Sequence, residues 1–293
     1  GQSHEKIIQD LNDTFGIAVS DGEITHILTT EAVKLLPEFH DIGVRIDEDP
    51  CRHGDETRWP VQKEGGGGYA WVKTASRTMD ALFCLGRSRG IGNAKELFPG
   101  NQATVTDDYA AYDFIKNHGL CWGHPKWKFR DLASSKALTA KRRRHCTAFY
   151  ERFRLLYCSV KAVHATPYDR RERLKAAEIF RKEIARLCTP SAADPKKIAT
   201  LKATFLEKTD QYLLCIREPN IPMTNNKAER SIRPLVTKRK ISFGSKTQKG
   251  ADVMSILLSV CFSTWWKKPE NFYTAYRAII RKWQPEVLTC RSS

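Results

Sequence analysis

The sequence predicts an α/β fold, in which a mixed five-stranded sheet carries flanking helices and is interrupted by an all-helical insertion. Three observations predict it. Apolar residues recur at helical spacing over residues 5–48, the pattern changes to short extended segments between 50 and 124, and residues 125–218 return to helical, basic sequence without a strand signal. The hydrophobic content of 41% is enough for a real core, and 293 residues can form one large domain or two ordinary ones.

Five strands and two short helices are expected in the central part of the chain. The strands are predicted within 50–62, 69–76, 78–86, 102–109 and 120–124, and the helices within 93–100 (capped by Asn93) and 110–119 (stopped by Gly119). Three strands, helix, strand, helix, strand is the order of a ribonuclease-H-like sheet. The predicted segments are therefore an N-terminal helical segment (1–48), a first part of the core (49–124), a helical insertion (125–220) and a last part of the core (221–293).

The charge of the chain indicates a polyanionic partner. Lys and Arg number 49 against 33 Asp and Glu, for a net charge of +16, and nucleic acid is the leading candidate. Much of the surplus lies in "AKRRRH" (140–145) and "VTKRKISFGSKTQKG" (236–250), although the first run could also be a solvated helix face. The expected DNA contacts in these runs are Arg142, Arg143, Arg144, Lys238, Arg239 and Lys240.

Cysteine usage and hydropathy bear on the compartment. Nine cysteines are scattered without a paired framework, which is typical of buried thiols in a reducing cytosol. No apolar run reaches the roughly 18–20 residues that span a bilayer, and the polar start "GQSHEKIIQD" is not a signal peptide. A cytoplasmic protein without a membrane partner is expected.

Three acidic residues stand out by their context. Asp55 in "HGDETRW" ends the first predicted strand, Asp107 in "VTDDYAAY" ends the fourth, and Glu229 in "MTNNKAERSIRPL" opens a later helix. In a ribonuclease-H-like sheet the first and fourth strands are neighbours, so the two aspartates would project side by side and would need cations, such as a pair of Mg²⁺ ions, to offset their repulsion. The alternative is structural: the aspartates could be strand-end turn residues, and Glu229 could complete a capping box with Asn226 as the N-cap or pair with Arg233.

Four stretches carry a family resemblance. "HGDETRW", "TDDYAAY", "LCWGHPKWKFRDLA" and "NNKAERSIRPL…RKISFGS" resemble, in order, the ADET, TDGYxxY, CWAHxRRKF and NNxAERxxRP motifs of the insertion sequence 66 family of DDE transposases. The resemblance runs from about residue 15 to 280 and implies a ribonuclease-H-like core with Asp55, Asp107 and Glu229 as the catalytic, metal-binding triad. Intervals of 52 and 122 residues separate the three acids, and the long second interval holds the helical insertion.

The resemblance also implies a mechanism and partners. Two Mg²⁺ (or Mn²⁺) ions would activate water to nick a transposon end and then the freed 3′-hydroxyl to attack target DNA. Arg230 and Arg233 are interpreted as phosphate clamps, with a structural ion pair as the competing interpretation, and Lys128 as a further DNA contact. His124 and Cys121 would support the active site. A homodimer on DNA, accessory transposition proteins and a nucleoid location are expected.

The sequence departs from the family pattern in places. Asp108 replaces the usual Gly, and Trp127 stands where an Arg is usual. The upstream zinc-binding and helix-turn-helix region of full-length relatives is not recognisable before residue 5, which predicts a catalytic fragment or a shortened protein.

Two further questions stay open at this point. Cys51-x-His53 and Cys121-x-x-His124 could supply four zinc ligands, but the spacing is unusual and a structural role is favoured. The alternative functions are a ribonuclease-H-like nuclease that does not transpose and a non-catalytic, domesticated DNA-binding protein.

Overall fold

The computed structural model describes residues 2–283. Cys290 and the ends of the predicted segments 1–48 and 221–293 lie outside the described residues. The strands are β1 Cys51–Arg58, β2 Tyr69–Ala75, β3 Ala81–Arg87, β4 Ala103–Thr106 and β5 His118–Leu120. The helices are α1 His4–Phe15, α2 Asp21–Glu48, α3 Ile91–Leu97, α4 Gly123–Ala133, α5 Ala140–Ala165, α6 Arg170–Cys188, α7 Lys196–Glu207, α8 Thr209–Tyr212, α9 Leu214–Arg217, α10 Asn226–Ser242, α11 Gln248–Lys267 and α12 Phe272–Lys282.

The five strands form one mixed sheet of order β3-β2-β1-β4-β5. β2 pairs with β3 antiparallel, whereas β1 with β4 and β4 with β5 are parallel pairs. The predicted mixed five-stranded sheet with flanking helices is confirmed, and so is the expectation that the first and fourth strands are neighbours.

The helix predicted over 110–119 is wrong. Only a 3₁₀ turn, Ala110–Tyr112, forms there, and the fifth strand starts at His118 rather than at Leu120. The physical reason is the register: Thr104 pairs with His118, so a short connection must bring the chain back beside β4. Gly119 therefore lies inside β5 opposite Val105, where a Cβ would come within 3.1 Å of the valine side chain, and it is not a helix stop.

Helix ends are only partly as predicted. Ser20 caps α2 in a full capping box with Glu23, and Gly16 ends α1 in the left-handed conformation. Gly90, not Asn93, precedes the first turn of α3. Asn226 is also not a cap, because it is the first residue of α10, and the amide of Glu229 donates to the carbonyl of Asn225 at 3.2 Å. The residue in the N-cap position is thus Asn225.

The chain divides into two compact units, residues 1–49, 56–89 and 230–293 in the first and residues 50–55 and 90–229 in the second. In the first unit, α2 and α11 pack on β3. The amides of Ala81, Phe83 and Leu85 on this edge strand donate to the hydroxyls of Ser263, Ser259 and Ser255, at 3.0, 2.8 and 2.9 Å. Because serines four residues apart share one helix face, α11 satisfies the outward amides of β3 and covers the sheet edge.

The second unit has its own core, which is built around Trp122, two residues after the end of β5. Trp122 is fully buried, its indole N–H donates to the Tyr212 carbonyl at 2.7 Å, and Phe205 packs edge-on at 5.4 Å between ring centroids. Helices of the predicted insertion supply most of the remaining core, including Phe153 of α5 and Ile184 of α6. The insertion is therefore anchored on the residue that directly follows Cys121.

Over the range 2–283, no helix has both the length and the apolar character needed to cross a membrane.

Candidate active site

Asp55 and Asp107 lie at matching levels of two adjacent strands. The β1–β4 register pairs Cys51 with Ala103 and His53 with Val105, an offset of 52 residues that equals the interval between the two aspartates. Continuing this register places Asp55 level with Asp107, one residue beyond the end of β4, and both follow the alternation of the same face. Both side chains are half-buried. The register thus places the two acids side by side towards the carboxyl ends of the neighbouring strands β1 and β4.

The two consecutive aspartates have different surroundings. The Asp107 carboxylate accepts the amide of Tyr109 at 3.2 Å, and the Thr106 hydroxyl donates to the Asp107 carbonyl at 2.7 Å. Asp108 instead forms an ion pair with Lys208 at 2.5 Å. Burial alone would lower the pKa of Lys208, but Asp108 and Asp113 raise it. Asp108 is therefore a neutralised structural acid.

Asn225 fixes the start of α10 against the two strands that lead into the site. The residue is fully buried, and its side-chain amide donates to the Gly54 carbonyl at 2.7 Å, one residue before Asp55. Its side-chain oxygen lies 3.2 Å from Nδ1 of His53, and its backbone N–H donates to the sulfur of Cys121 at 3.2 Å. One asparagine thus ties the ends of β1 and β5 to the first turn of α10, which carries Glu229.

Glu229 lies in a group with Cys121 and His124. One ligand atom from each of the three lies within 4.8 Å of the other two, and Oε1 of Glu229 is 4.0 Å from Nε2 of His124. Among the residues described, this Oε1 is buried and has no hydrogen-bond partner. A buried carboxylate oxygen without a donor is costly, and a bound cation would satisfy it. Over the same range, the group does not include Asp55 or Asp107.

The Cys121 thiol is held in a turn of backbone amides. Burial raises its pKa to about 11, and the negative charge of Glu229 acts in the same direction. The backbone N–H groups of Asn225, Gly123 and His124 lower the pKa of the thiol and partly offset that effect. A Cβ on Gly123 would lie 3.3 Å from the sulfur, so the turn around the thiol is tight.

Cys51 and His53, the other two residues considered as zinc ligands, contact different groups. Cys51 and His53 are buried in β1, where His53 contacts Asn225 and the Cys51 thiol lies 3.5 Å from the Arg52 carbonyl. Neither belongs to the group of Cys121, His124 and Glu229 found among the described residues. Among the described residues, the four side chains weighed as zinc ligands are therefore not grouped together, and the group around Cys121 and His124 contains Glu229 instead.

The predicted DNA contacts are basic side chains on three helices. In the second unit, Lys128 lies exposed on α4, and on α5 Arg142 and Arg144 are exposed while Arg143 is half-buried. In the first unit, Arg230, Arg233 and Lys240 lie exposed on α10. Lys238 donates to the Gln2 carbonyl at 3.2 Å, and Arg239 donates to the Thr57 hydroxyl and the Arg58 carbonyl. Arg239 therefore has a structural contact as well as a positive charge.

Sequence reasoning missed Asn225. The local pattern of the Asn-Asn doublet favours the second asparagine as the cap, and the role of Asn225 depends on contacts with residues more than 100 positions away. The exposed Asn226 and the buried Asn225 differ in the structure, and only the latter reaches β1.

The mixed sheet and the acidic side chains beside it define the chain as an α/β protein with a candidate metal-binding site. The family model described as the Transposase IS66 family matches residues 4–253, and the chain therefore belongs to this family. It is also similar to an uncharacterized protein, y4jO, of Sinorhizobium fredii (strain NBRC 101917 / NGR234), with 30% identity over 165 residues. The match covers 55% of this chain and 48% of the relative, so the chain spans about half the length of the curated relative it matches.

Proposed function

We propose that this chain is the catalytic part of a DDE transposase, which cleaves DNA and transfers strands with Asp55, Asp107 and Glu229 as the ligands of two divalent cations. The observation that carries the proposal is the 52-residue offset of β1 and β4, which matches the interval between Asp55 and Asp107. Family membership and the strand order β3-β2-β1-β4-β5 support a ribonuclease-H-like core for this chemistry.

The residues fit hard divalent cations. Carboxylate oxygens are the ligands that Mg²⁺ and Mn²⁺ prefer, and Glu229 has a buried oxygen without a donor among the described residues. Asp108, which directly follows Asp107, is already paired with Lys208, and Glu56, which directly follows Asp55, is paired with Arg89. The set is therefore selective: neighbouring acids that belong to the scaffold have cationic partners.

The chain's own residues supply position and charge. Asp55 and Asp107 extend from rigid strands, and the first turn of α10 presents Glu229 under the control of Asn225. Bound divalent ions would lower the pKa of a coordinated water or hydroxyl and stabilise the leaving oxygen of an in-line displacement at phosphorus. The DNA 3′-hydroxyl is the nucleophile in strand transfer, so no serine or tyrosine of the chain has to form a covalent bond.

DNA is the proposed substrate because of the charge surplus. The net charge of +16 favours a phosphate backbone, and exposed Arg230, Arg233 and Lys128 are proposed backbone contacts. Joining two transposon ends requires two active sites, and we propose a homodimer on DNA assisted by accessory proteins of the element.

The test compares wild type with Glu229→Gln and Asp107→Asn, using Asp108→Asn as the matched control. Nicking of supercoiled plasmid is measured with Mg²⁺ or Mn²⁺, and strand transfer is measured with a labelled duplex that ends in a 3′-hydroxyl. Both ligand variants should cleave and transfer DNA at least about a hundredfold more slowly than wild type. Substituting residues that only orient a metal ligand already lowers activity by about 10- to 100-fold, and loss of a ligand itself should cost no less. Asp108→Asn should retain most activity.

A second measurement tests the same metal ligands without requiring the chain to cut DNA. Mn²⁺ binding followed by electron paramagnetic resonance should be weakened in Glu229→Gln and Asp107→Asn and preserved in Asp108→Asn. Equal Mn²⁺ binding and equal nicking by all four proteins would refute the proposed site. Nicking without strand transfer would favour the nuclease alternative.

A further inference from the structure

We propose that Cys121, His124 and Glu229 form a second, thiophilic metal site that takes Zn²⁺ and, when filled, removes Glu229 from the catalytic set. The site is confined to the second unit, and its regulatory consequence rests on the proposed function. The binding itself does not, because it depends only on three side chains whose ligand atoms already lie within 4.8 Å of one another.

The ligand chemistry selects the ion. One thiolate sulfur, one imidazole nitrogen and one carboxylate oxygen are the donors that Zn²⁺ accepts, with bonds of about 2.0–2.3 Å that leave the ligand atoms roughly 3.3–3.8 Å apart in a tetrahedron. Oε1 of Glu229 and Nε2 of His124 are 4.0 Å apart and all three ligand atoms lie within 4.8 Å of one another, so zinc binding requires each pair to close by at most about 1.5 Å. Mg²⁺ rarely takes sulfur or nitrogen ligands and would avoid this set.

The surroundings of Cys121 favour a metal-bound thiolate. The backbone N–H of Asn225 donates to the sulfur at 3.2 Å, and a hydrogen bond to the charged form of a group stabilises that form. His124 follows Cys121 by three residues and opens α4 together with Gly123, so one turn delivers both soft ligands. The absence of a side chain at Gly123 keeps the approach to the sulfur open, since a Cβ would lie 3.3 Å from it.

Glu229 completes the site from another element. Its buried Oε1 has no hydrogen-bond partner within the described residues and faces a histidine nitrogen rather than a lysine or arginine. Three protein ligands leave a fourth position for water, as in open zinc sites. Binding converts the Cys121 thiol to a zinc-bound thiolate and releases one proton to solvent, and no electron changes hands.

The consequence is competition for one carboxylate. Glu229 cannot serve the oxygen-ligated cations while it holds Zn²⁺ beside Cys121 and His124. Zn²⁺ should therefore inhibit Mg²⁺-dependent cleavage, and a chelator selective for Zn²⁺ over Mg²⁺ should restore the activity.

The experiment uses Co²⁺ as a spectroscopic substitute for Zn²⁺. A stoichiometric sulfur-to-cobalt charge-transfer band should appear on titration of the reduced full chain, and Zn²⁺ should remove it. The band should disappear in Cys121→Ser, and the Co²⁺ affinity should fall about 10- to 100-fold or more in His124→Ala and Glu229→Gln. Cys158→Ser is the matched control, because Cys158 is exposed and is the most accessible competitor among the described cysteines.

Two outcomes overturn the proposal: no charge-transfer band in wild type, or a band in Cys121→Ser equal to that of wild type. His124→Ala keeps the test decisive if Cys121→Ser fails to fold, because His124 is a quarter exposed and its removal leaves the buried core intact. If Zn²⁺ binds as described but inhibits wild type and His124→Ala equally, relative to each protein's own Mg²⁺ activity, the regulatory part is refuted.

The two proposals fail separately. A cobalt band that depends on Cys121 in a chain that never cleaves DNA would leave the zinc site standing without the transposase function. Mg²⁺-dependent cleavage without any cobalt band would leave the function standing without the zinc site.

Discussion

Asp80 of the first unit and Glu229 of the second are both acids drawn away from solvent, yet their surroundings differ. Asp80 is 1% exposed, and its two oxygens accept hydrogen bonds from Arg45 (3.0 and 3.3 Å), from the Thr78 hydroxyl (2.8 Å) and from Lys267. Oε1 of Glu229 is buried without a donor among the described residues. Scaffold acids such as Asp80 accept hydrogen bonds from cationic side chains, whereas Oε1 of Glu229 has only the His124 ring, 4.0 Å away, among the charged groups paired with it in the described residues, as suits a ligand-binding acid.

The same contrast holds for backbone groups. In the first unit, three serines of α11 satisfy the edge amides of β3, and the Asp49 carboxylate accepts the amides of Ser76 and Arg77 at 3.1 and 2.9 Å. In the second unit, Asn225 donates to the Gly54 carbonyl and so positions the first turn of α10. That turn carries Glu229, whose Oε1 has no hydrogen-bond partner among the described residues. The first unit therefore uses polar groups for stability, and the second also uses them for placement.

The strongest stability test of this comparison is Asp80→Asn. Removing the charge leaves Arg45 and Lys267 beside a neutral amide, and we expect a loss of about 3 kcal/mol in the free energy of unfolding. This is the low end for a broken buried ion pair, because both cations are about a third exposed. Urea denaturation at neutral pH measures it, and the exposed Asp41→Asn on α2 is the control, with an expected change within about 0.5 kcal/mol.

The pH dependence of the same pair has a definite sign. Burial alone would raise the pKa of Asp80, but hydrogen bonds from Arg45, Lys267 and Thr78 hold it below its usual range. The folded state then binds fewer protons than the unfolded state, so this stabilisation is present above about pH 4 and is lost as the pH falls through the folded pKa. The difference in the free energy of unfolding between wild type and Asp80→Asn should therefore become smaller at acidic pH. A gap that stays constant from neutral pH to about pH 3 would contradict the assignment.

Asn225→Ala tests placement in the second unit. The substitution removes the hydrogen bond to the Gly54 carbonyl and the contact with His53. We expect the free energy of unfolding to fall by about 2–3 kcal/mol, the upper part of the range for an unsatisfied buried polar group. Mn²⁺ affinity should fall by about 10- to 100-fold, because residues that orient a ligand have effects of this size.

Asn226→Ala is the neighbouring control for this test. Asn226 is exposed and already helical, so its replacement should change neither stability by more than about 0.5 kcal/mol nor Mn²⁺ affinity. Equal effects of the two substitutions would show that Asn225 has no special role.

Much of the sheet was predictable because its signals are local. β1 to β4 follow from extended, apolar segments with turn residues between them, and the matching level of Asp55 and Asp107 follows from the predicted pairing of the first and fourth strands, although β1 continues to Arg58 and Asp55 is not its last residue. The helix expected over 110–119 failed, since the parallel register of β4 and β5 overrides a local pattern. Asn225 and the grouping of Cys121 with Glu229 rather than with Cys51 could not be predicted, because they depend on contacts between segments about 100 residues apart.

Ser259→Ala is the smallest effect and tests the covered sheet edge. The hydroxyl accepts the Phe83 amide at 2.8 Å and donates to the Ser255 carbonyl at 2.7 Å, and both groups are buried. Alanine leaves the Phe83 amide without its acceptor, so the free energy of unfolding should fall by about 1 kcal/mol, the low end for a single unsatisfied buried group. Amide hydrogen exchange should show faster exchange at Phe83 than in wild type. Thr237→Ala removes an exposed hydroxyl on α10 and should leave both quantities unchanged. If exchange at Phe83 stays as slow in Ser259→Ala as in wild type, the edge is protected by burial under α11 and not by its serines.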